Sequence, residues 1–156
     1  MAAPATPHRS QELRLRITEI FRSVQGESTL AGLPTTFVRL TGCPLRCGYC
    51  DTAYAFQGGQ WMTGSEILDT VQDFSVRHVC VTGGEPLAQK AAPALLSTLC
   101  DAGYTVSLET SGALPIEGLD RRVIVVMDVK TPSSGECSRN LATNPQALKS
   151  GDQVKF

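Results

Sequence analysis

Three cysteines, Cys43, Cys47 and Cys50, fall within the stretch "TGCPLRCGYCDT". A closed structural zinc site takes four Cys or His ligands, and neither His8 nor His78 lies near this loop in sequence. Three thiolates therefore leave a coordination position open. Soft thiolates suit zinc and iron-sulfur clusters, and a four-iron cluster held through three of its irons keeps the fourth free for another ligand. The spacing alone leaves both metals open. Downstream, "VTGGEP" sets Gly83 and Gly84 before Glu85. Paired glycines let backbone approach a ligand closely, and Glu85 offers an acceptor to an ammonium group.

The elements that must position these residues alternate along the chain. "LRLRITEIF" places Leu13, Leu15 and Ile17 against Arg14, Arg16 and Thr18, the period of a half-buried strand. "TTFVRLTG" is a second β-rich segment that runs directly into the cysteine loop. "GSEILDTVQDFS" predicts a helix with Ser65 as N-cap and Ile67, Leu68 and Val71 on one face. "RHVCVTGG" reads as a buried strand stopping at the diglycine. "PLAQKAAPALLSTLCDAG" predicts a helix closing at Gly103 and broken into two pieces by Pro93. "YTVSLETSG" and "RRVIVVMDV" are two further strands, and "GDQVKF" reads as the start of another. Strand, helix and strand at this spacing predict βαβ units and a mostly parallel α/β sheet.

The chain has 156 residues, 42% of them hydrophobic and 19% charged, which suits one globular domain. Residues 1–12 are expected to be a flexible tail and residues 13–156 a single domain. A parallel sheet rarely ends on an uncovered, unfinished strand, so the chain is expected to be truncated at its C-terminus. With 14 Lys+Arg against 15 Asp+Glu there is no basic field to hold nucleic acid and no polybasic tail for a membrane. Pro4 and Pro7 stand where a signal peptide needs an unbroken apolar run, so a cytoplasmic setting and reduced thiols are expected. Cys80 and Cys100 read as small hydrophobes, and Cys137 as a loop residue without a metal role. His78 is expected at the surface or half buried. Tyr54, Phe56 and Trp61 are expected in the core or as a cover over the cysteine loop.

Cys43, Cys47 and Cys50, spaced C-x3-C-x2-C, resemble the cluster motif of the radical S-adenosylmethionine (SAM) enzymes, and "GGEP" resembles the turn that receives the SAM amino group in that family. The resemblance implies a partial (β/α) barrel, a 4Fe-4S cluster and SAM, whose reductive cleavage yields methionine and a hydrogen-abstracting 5'-deoxyadenosyl radical. Within the superfamily, "FRSVQGES", "FVRLTGCPLRCGYCDT", "TGGEP" and "ETSG" resemble the 7-carboxy-7-deazaguanine synthase family, from about Ile17 to the chain end. That likeness implies a lyase contracting the ring of 6-carboxy-5,6,7,8-tetrahydropterin, with loss of ammonia, in 7-deazapurine (queuosine) biosynthesis.

By motif position, the resemblance implies that Val24, Gln25, Gly26 and Glu27 line the pterin site, that Arg39 holds the substrate carboxylate and that Thr82 touches substrate. Cys43, Cys47 and Cys50 would hold the cluster and Thr52 a Mg2+ ion. Tyr49, Cys50, Asp51, Gly84, Glu85, Asp128 and Lys130 would contact SAM. Glu109 would either face SAM at a strand end or pair with a neighbouring cation, and the strand-end position favours the site. Ser28 stands where many members have Gly, a departure that alters the loop after "QGE" and keeps its polar groups. The family continues beyond Phe156, so weak SAM affinity and little or no turnover are expected if the chain ends there. An electron donor such as flavodoxin or ferredoxin and a homodimer are further family expectations. Two other readings share part of the pattern: another radical SAM enzyme such as a glycyl-radical activase, and a non-catalytic metal-binding module.

Overall fold

The computed structural model describes residues 13–156; the expected tail, 1–12, lies outside the described residues. Seven strands form one sheet: β1 Arg14–Val24, β2 Pro34–Leu40, β3 Gln60–Thr63, β4 His78–Gly83, β5 Thr105–Thr110, β6 Ile124–Asp128 and β7 Gln153–Lys155. Their spatial order is β3-β1-β2-β4-β5-β6-β7. From β2 to β7 every pairing is parallel, whereas β1 runs antiparallel to both β2 and β3. Helix α1 (Gly64–Asp73) precedes β4, α2 (Ala92–Asp101) precedes β5, and the short α3 (Asn144–Ala147) precedes β7.

Alternation along the strands sorts the side chains into two faces. Val38, Leu40, Val79, Val81, Val106 and Leu108 are buried in one cluster with Ile67 and Val71 of α1 and Leu95, Leu96 and Leu99 of α2. A smaller cluster of Ile116, Val125 and Met127 packs against Leu148. The opposite face carries Arg39, Thr82, Glu109 and Asp128 at successive strand ends, with Cys80 and His78 deeper along β4. In a flat sheet β1 and β7 would lie five strand spacings, about 24 Å, apart. Here Thr29, in the loop after β1, exchanges hydrogen bonds with Gln153 of β7 (2.8 and 2.9 Å), and Lys155 pairs with Glu27. Those contacts require the sheet to curl into a partial barrel, with the polar face on its concave side.

Several local expectations are corrected. Thr63, not Ser65, caps α1: its hydroxyl accepts from Glu66 N while Glu66 reaches back to Thr63 N, a reciprocal capping box. Pro93 sits in the first turn of α2, where its missing N–H costs nothing, and the break in this segment falls earlier, after a 3-10 turn at Pro86–Ala88. His78 is buried, its ring bonded to Thr35 Oγ1 (2.8 Å) and Ser107 Oγ (2.9 Å). Burial pushes its pKa down, so the ring is neutral at neutral pH. Trp61 and Tyr54 are 59% and 57% exposed, so neither is a core residue.

Candidate active site

β2 leads through Thr41 and Gly42 into the cysteine loop, and the diglycine turn at the end of β4 is stitched to that entry. Gly84 N donates to Leu40 O (3.2 Å), Glu85 N to Gly42 O (2.8 Å) and Gly42 N to Ala55 O (2.7 Å). A Cβ at Gly84 would stand 2.2 Å from Gly42 O, and one at Gly83 2.3 Å from Leu40 O. The glycines therefore permit the turn to approach the cysteine loop itself, an approach that no side chain allows. Further along, Leu45 is buried, Arg46 N donates to Glu136 Oε1 (2.6 Å) and Gly48 N to Ser134 O (2.9 Å). The Arg46 guanidinium donates to the carbonyls of Cys43 and Leu45 and lies 4.2 Å over the half-buried Phe56 ring. These contacts tie the loop to three other segments.

All six cysteines are free thiols, and Cys43, Cys47 and Cys50 are each half buried. Burial pushes the Cys43 and Cys47 thiols up, partly offset at Cys47 by the nearby Lys130 cation. Among the described residues no three His, Cys, Asp or Glu side chains gather round one point as ligands of a single metal ion. Three soft donors on one anchored loop fit the thiolate shell of an iron-sulfur cluster with one iron left open. Thr52 Oγ1 lies 3.7 Å from Cys50 Sγ, and Tyr49 and Asp51 are exposed beside it. Lys130 bonds Asp128 (2.9 Å) and reaches within 5.9 Å of the Tyr49 ring. The end of β6 and the cysteine loop thus adjoin.

Across the concave face, Glu109 accepts from Thr82 Oγ1 (2.9 Å) and Gln25 Nε2 (3.4 Å), so its partners are neutral donors. Thr82 pairs in register with Arg39, whose Nε donates to Glu19 (2.8 Å). Gln25 is buried, whereas Val24, Gly26 and Glu27 are exposed. Glu85 is placed differently from an open acceptor. It is fully buried, and its carboxylate accepts from Thr110 Oγ1, Ser111 N, Ser111 Oγ and Leu87 N. That carboxylate locks the diglycine turn to the end of β5. Sequence reasoning missed Glu19 and Lys155, and it placed Tyr54 in the core or over the cysteine loop without its bond to Glu19. The available signal was parity: Ile20 falls out of step with Leu13, Leu15 and Ile17, which marks an irregularity beside Glu19.

A curled, mostly parallel sheet carrying a three-cysteine loop, a diglycine turn and a polar concave face at its strand ends defines a radical SAM domain. The radical SAM superfamily model matches residues 37–134. The chain is 51% identical over 148 residues to the 7-carboxy-7-deazaguanine synthase of Chlorobaculum tepidum, covering 94% of this chain and 67% of that one. With the synthase of Methanospirillum hungatei it shares 47% identity over 94% of this chain and 62% of that one. For Koribacter versatilis the figures are 43%, 91% and 64%. The chain belongs to the 7-carboxy-7-deazaguanine synthase family. It spans 62–67% of the length of these three curated relatives, less than two thirds of the second and third. The crystal structure of QueE from Escherichia coli shares the fold, with a TM-score of 0.71 at 21% identity over 97% of this chain and 88% of that chain.

Proposed function

We propose that the protein carries out the radical ring contraction of 6-carboxy-5,6,7,8-tetrahydropterin to 7-carboxy-7-deazaguanine, the product being the one its relatives' names give and the substrate the one the motif resemblance implies. The observation that carries this reading is the convergence, at one end of the sheet, of the three-thiol loop with a concave face bearing Arg39, Thr82, Gln25 and Glu109. Cys43, Cys47 and Cys50 would hold the 4Fe-4S cluster; with SAM bound, that group supplies a 5'-deoxyadenosyl radical for hydrogen abstraction.

The chain's own residues orient and shield. Arg39 presents a planar fork to a carboxylate, fixing the rotation of a flat substrate. Gln25, Thr82 and Glu109 form a connected set of donors and acceptors that can read a pterin edge, together with the backbone of Val24, Gly26 and Glu27. Tyr49, Asp51, Gly84, Asp128 and Lys130 lie around the cysteine loop where SAM would bind. Glu85 acts there through the turn that it locks. The Thr52 hydroxyl would supply one oxygen ligand to Mg2+, a hard ion that prefers oxygen donors and would polarise bound substrate oxygens.

A one-electron donor such as flavodoxin or ferredoxin, a homodimeric assembly and a cytoplasmic setting belong to the same reading. The setting is supported by six unpaired thiols, which suit a reducing compartment. The test is a substrate panel under anaerobic, reducing conditions with SAM. Consumption of the 6-carboxylated tetrahydropterin, with ammonia released and SAM not consumed in proportion, is expected. SAM cleavage without conversion of any pterin, or with formation of a protein radical on a partner, would point to a different radical SAM reaction.

A further inference from the structure

Arg39 is held from three sides. Glu19 Oε1 accepts from Arg39 Nε and from Tyr54 OH, both at 2.8 Å. The guanidinium carbon lies 5.7 Å from the Phe21 ring centroid and 5.8 Å from that of Tyr54. No described residue accepts from the two terminal nitrogens of the guanidinium, although the Arg39 side chain is only 14% exposed. With Nε engaged, the free end of the fork is the pair that a carboxylate takes with two parallel bonds.

This arrangement is built into the backbone. Ile17 opposes Leu40, but Glu19 opposes Arg39, because the β1–β2 register shifts by one residue at a bulge between them. Without that extra residue, the parity of β1 would carry Glu19 to the helix-packed face and leave Arg39 facing no acid. The bulged Thr18 is itself secured, its hydroxyl bonded to Thr41 at 2.8 Å. Tyr54 comes from the 3-10 turn Ala53–Phe56 that follows the cysteine loop, so it links the loop to the arginine. Burial pushes the Glu19 carboxyl up, but the bonds from Tyr54 and Arg39 outweigh burial and hold it below the usual carboxylate range. It is ionised at neutral pH.

We propose that Glu19 and Tyr54 are positioning residues for Arg39, which hold its guanidinium in the orientation that receives the substrate carboxylate. The proposal rests on the reading of Arg39 as the carboxylate anchor. The test uses the reconstituted protein and two ligands, 6-carboxytetrahydropterin and tetrahydropterin without the carboxylate, with affinities measured calorimetrically for the native protein, Glu19→Gln and Tyr54→Phe. The Arg39 Nε–H resonance is followed by NMR in the unreduced state.

The expected result is a loss of about tenfold in affinity for the carboxylated ligand in Glu19→Gln, and a smaller loss in Tyr54→Phe. Affinity for the other ligand is expected to stay unchanged, and in Glu19→Ala, which removes the acceptor altogether, the Arg39 Nε–H signal is expected to lose its protection from exchange. Unchanged or tighter binding of the carboxylated ligand in Glu19→Gln would overturn the proposal, since Glu19 would then be idle or a competitor for Arg39. If the native protein binds both ligands equally, the anchor role of Arg39 fails and the substrate half of the proposal falls with it. An unaltered Nε–H signal in Glu19→Ala, which has no acceptor at that position, would refute the holding contact itself, whatever the ligand data.

Discussion

At the residue scale, the diglycine and Glu85 form a mechanical joint between the cysteine loop, β4 and β5. Gly84→Ala forces a Cβ against the Gly42 carbonyl, a fixed backbone atom, so the loop entry has to move. Fewer irons bound per chain after reconstitution, and a stability loss of about 1–3 kcal/mol in denaturant melts, are the expected outcomes; native values in both would contradict the joint. Thr110→Val removes the hydroxyl that donates to both Glu85 oxygens in a buried site. Leaving that carboxylate short of a donor is expected to cost about 1–3 kcal/mol, read from the urea midpoint. The presence of both motifs was legible in the sequence. The packing partner of each glycine was not, because it is backbone of the end of β2 and of the loop entry just after it, more than forty residues earlier.

Among the elements, α1 and β1 mark the limits of pattern reading. The apolar face of α1 at Ile67 and Val71 follows from helical spacing, and both residues are buried. Residue type alone favours Ser65, since Ser is a better cap than Thr, and only Glu66, three residues after Thr63, moves the cap to Thr63. Thr63→Ala is expected to lower stability by about 1 kcal/mol and Ser65→Ala by less, measured by thermal melts; the reverse order would return the cap to Ser65. β3 went unread because four residues give too short a pattern, and the bulge in β1 hid the switch of face at Glu19. Strands β2, β4, β5 and β6 were legible because β-branched residues crowd them between polar ends.

For the whole molecule, curvature shapes the concave face. The local pattern indicates strands and helices, but not that β7 reaches back to the loop after β1. The contacts of Gln153 with Thr29 and of Lys155 with Glu27 close the concave face at that side. Replacing both Gln153 and Lys155 with Ala is expected to speed amide exchange in residues 25–33 about tenfold while leaving β4 and β5 protected. Uniform change across the sheet, or none, would deny the closure. Among the described residues no helix is long and apolar enough to cross a membrane.

The half-buried thiols of Cys43, Cys47 and Cys50 are to be tested by iron and sulfide analysis of the anaerobically reconstituted chain, with electron paramagnetic resonance of the reduced protein before and after SAM. About four irons per chain and a spectrum altered by SAM are expected of a cluster with one open iron. Zinc in place of iron, or a cluster spectrum that SAM leaves unmoved, would contradict it.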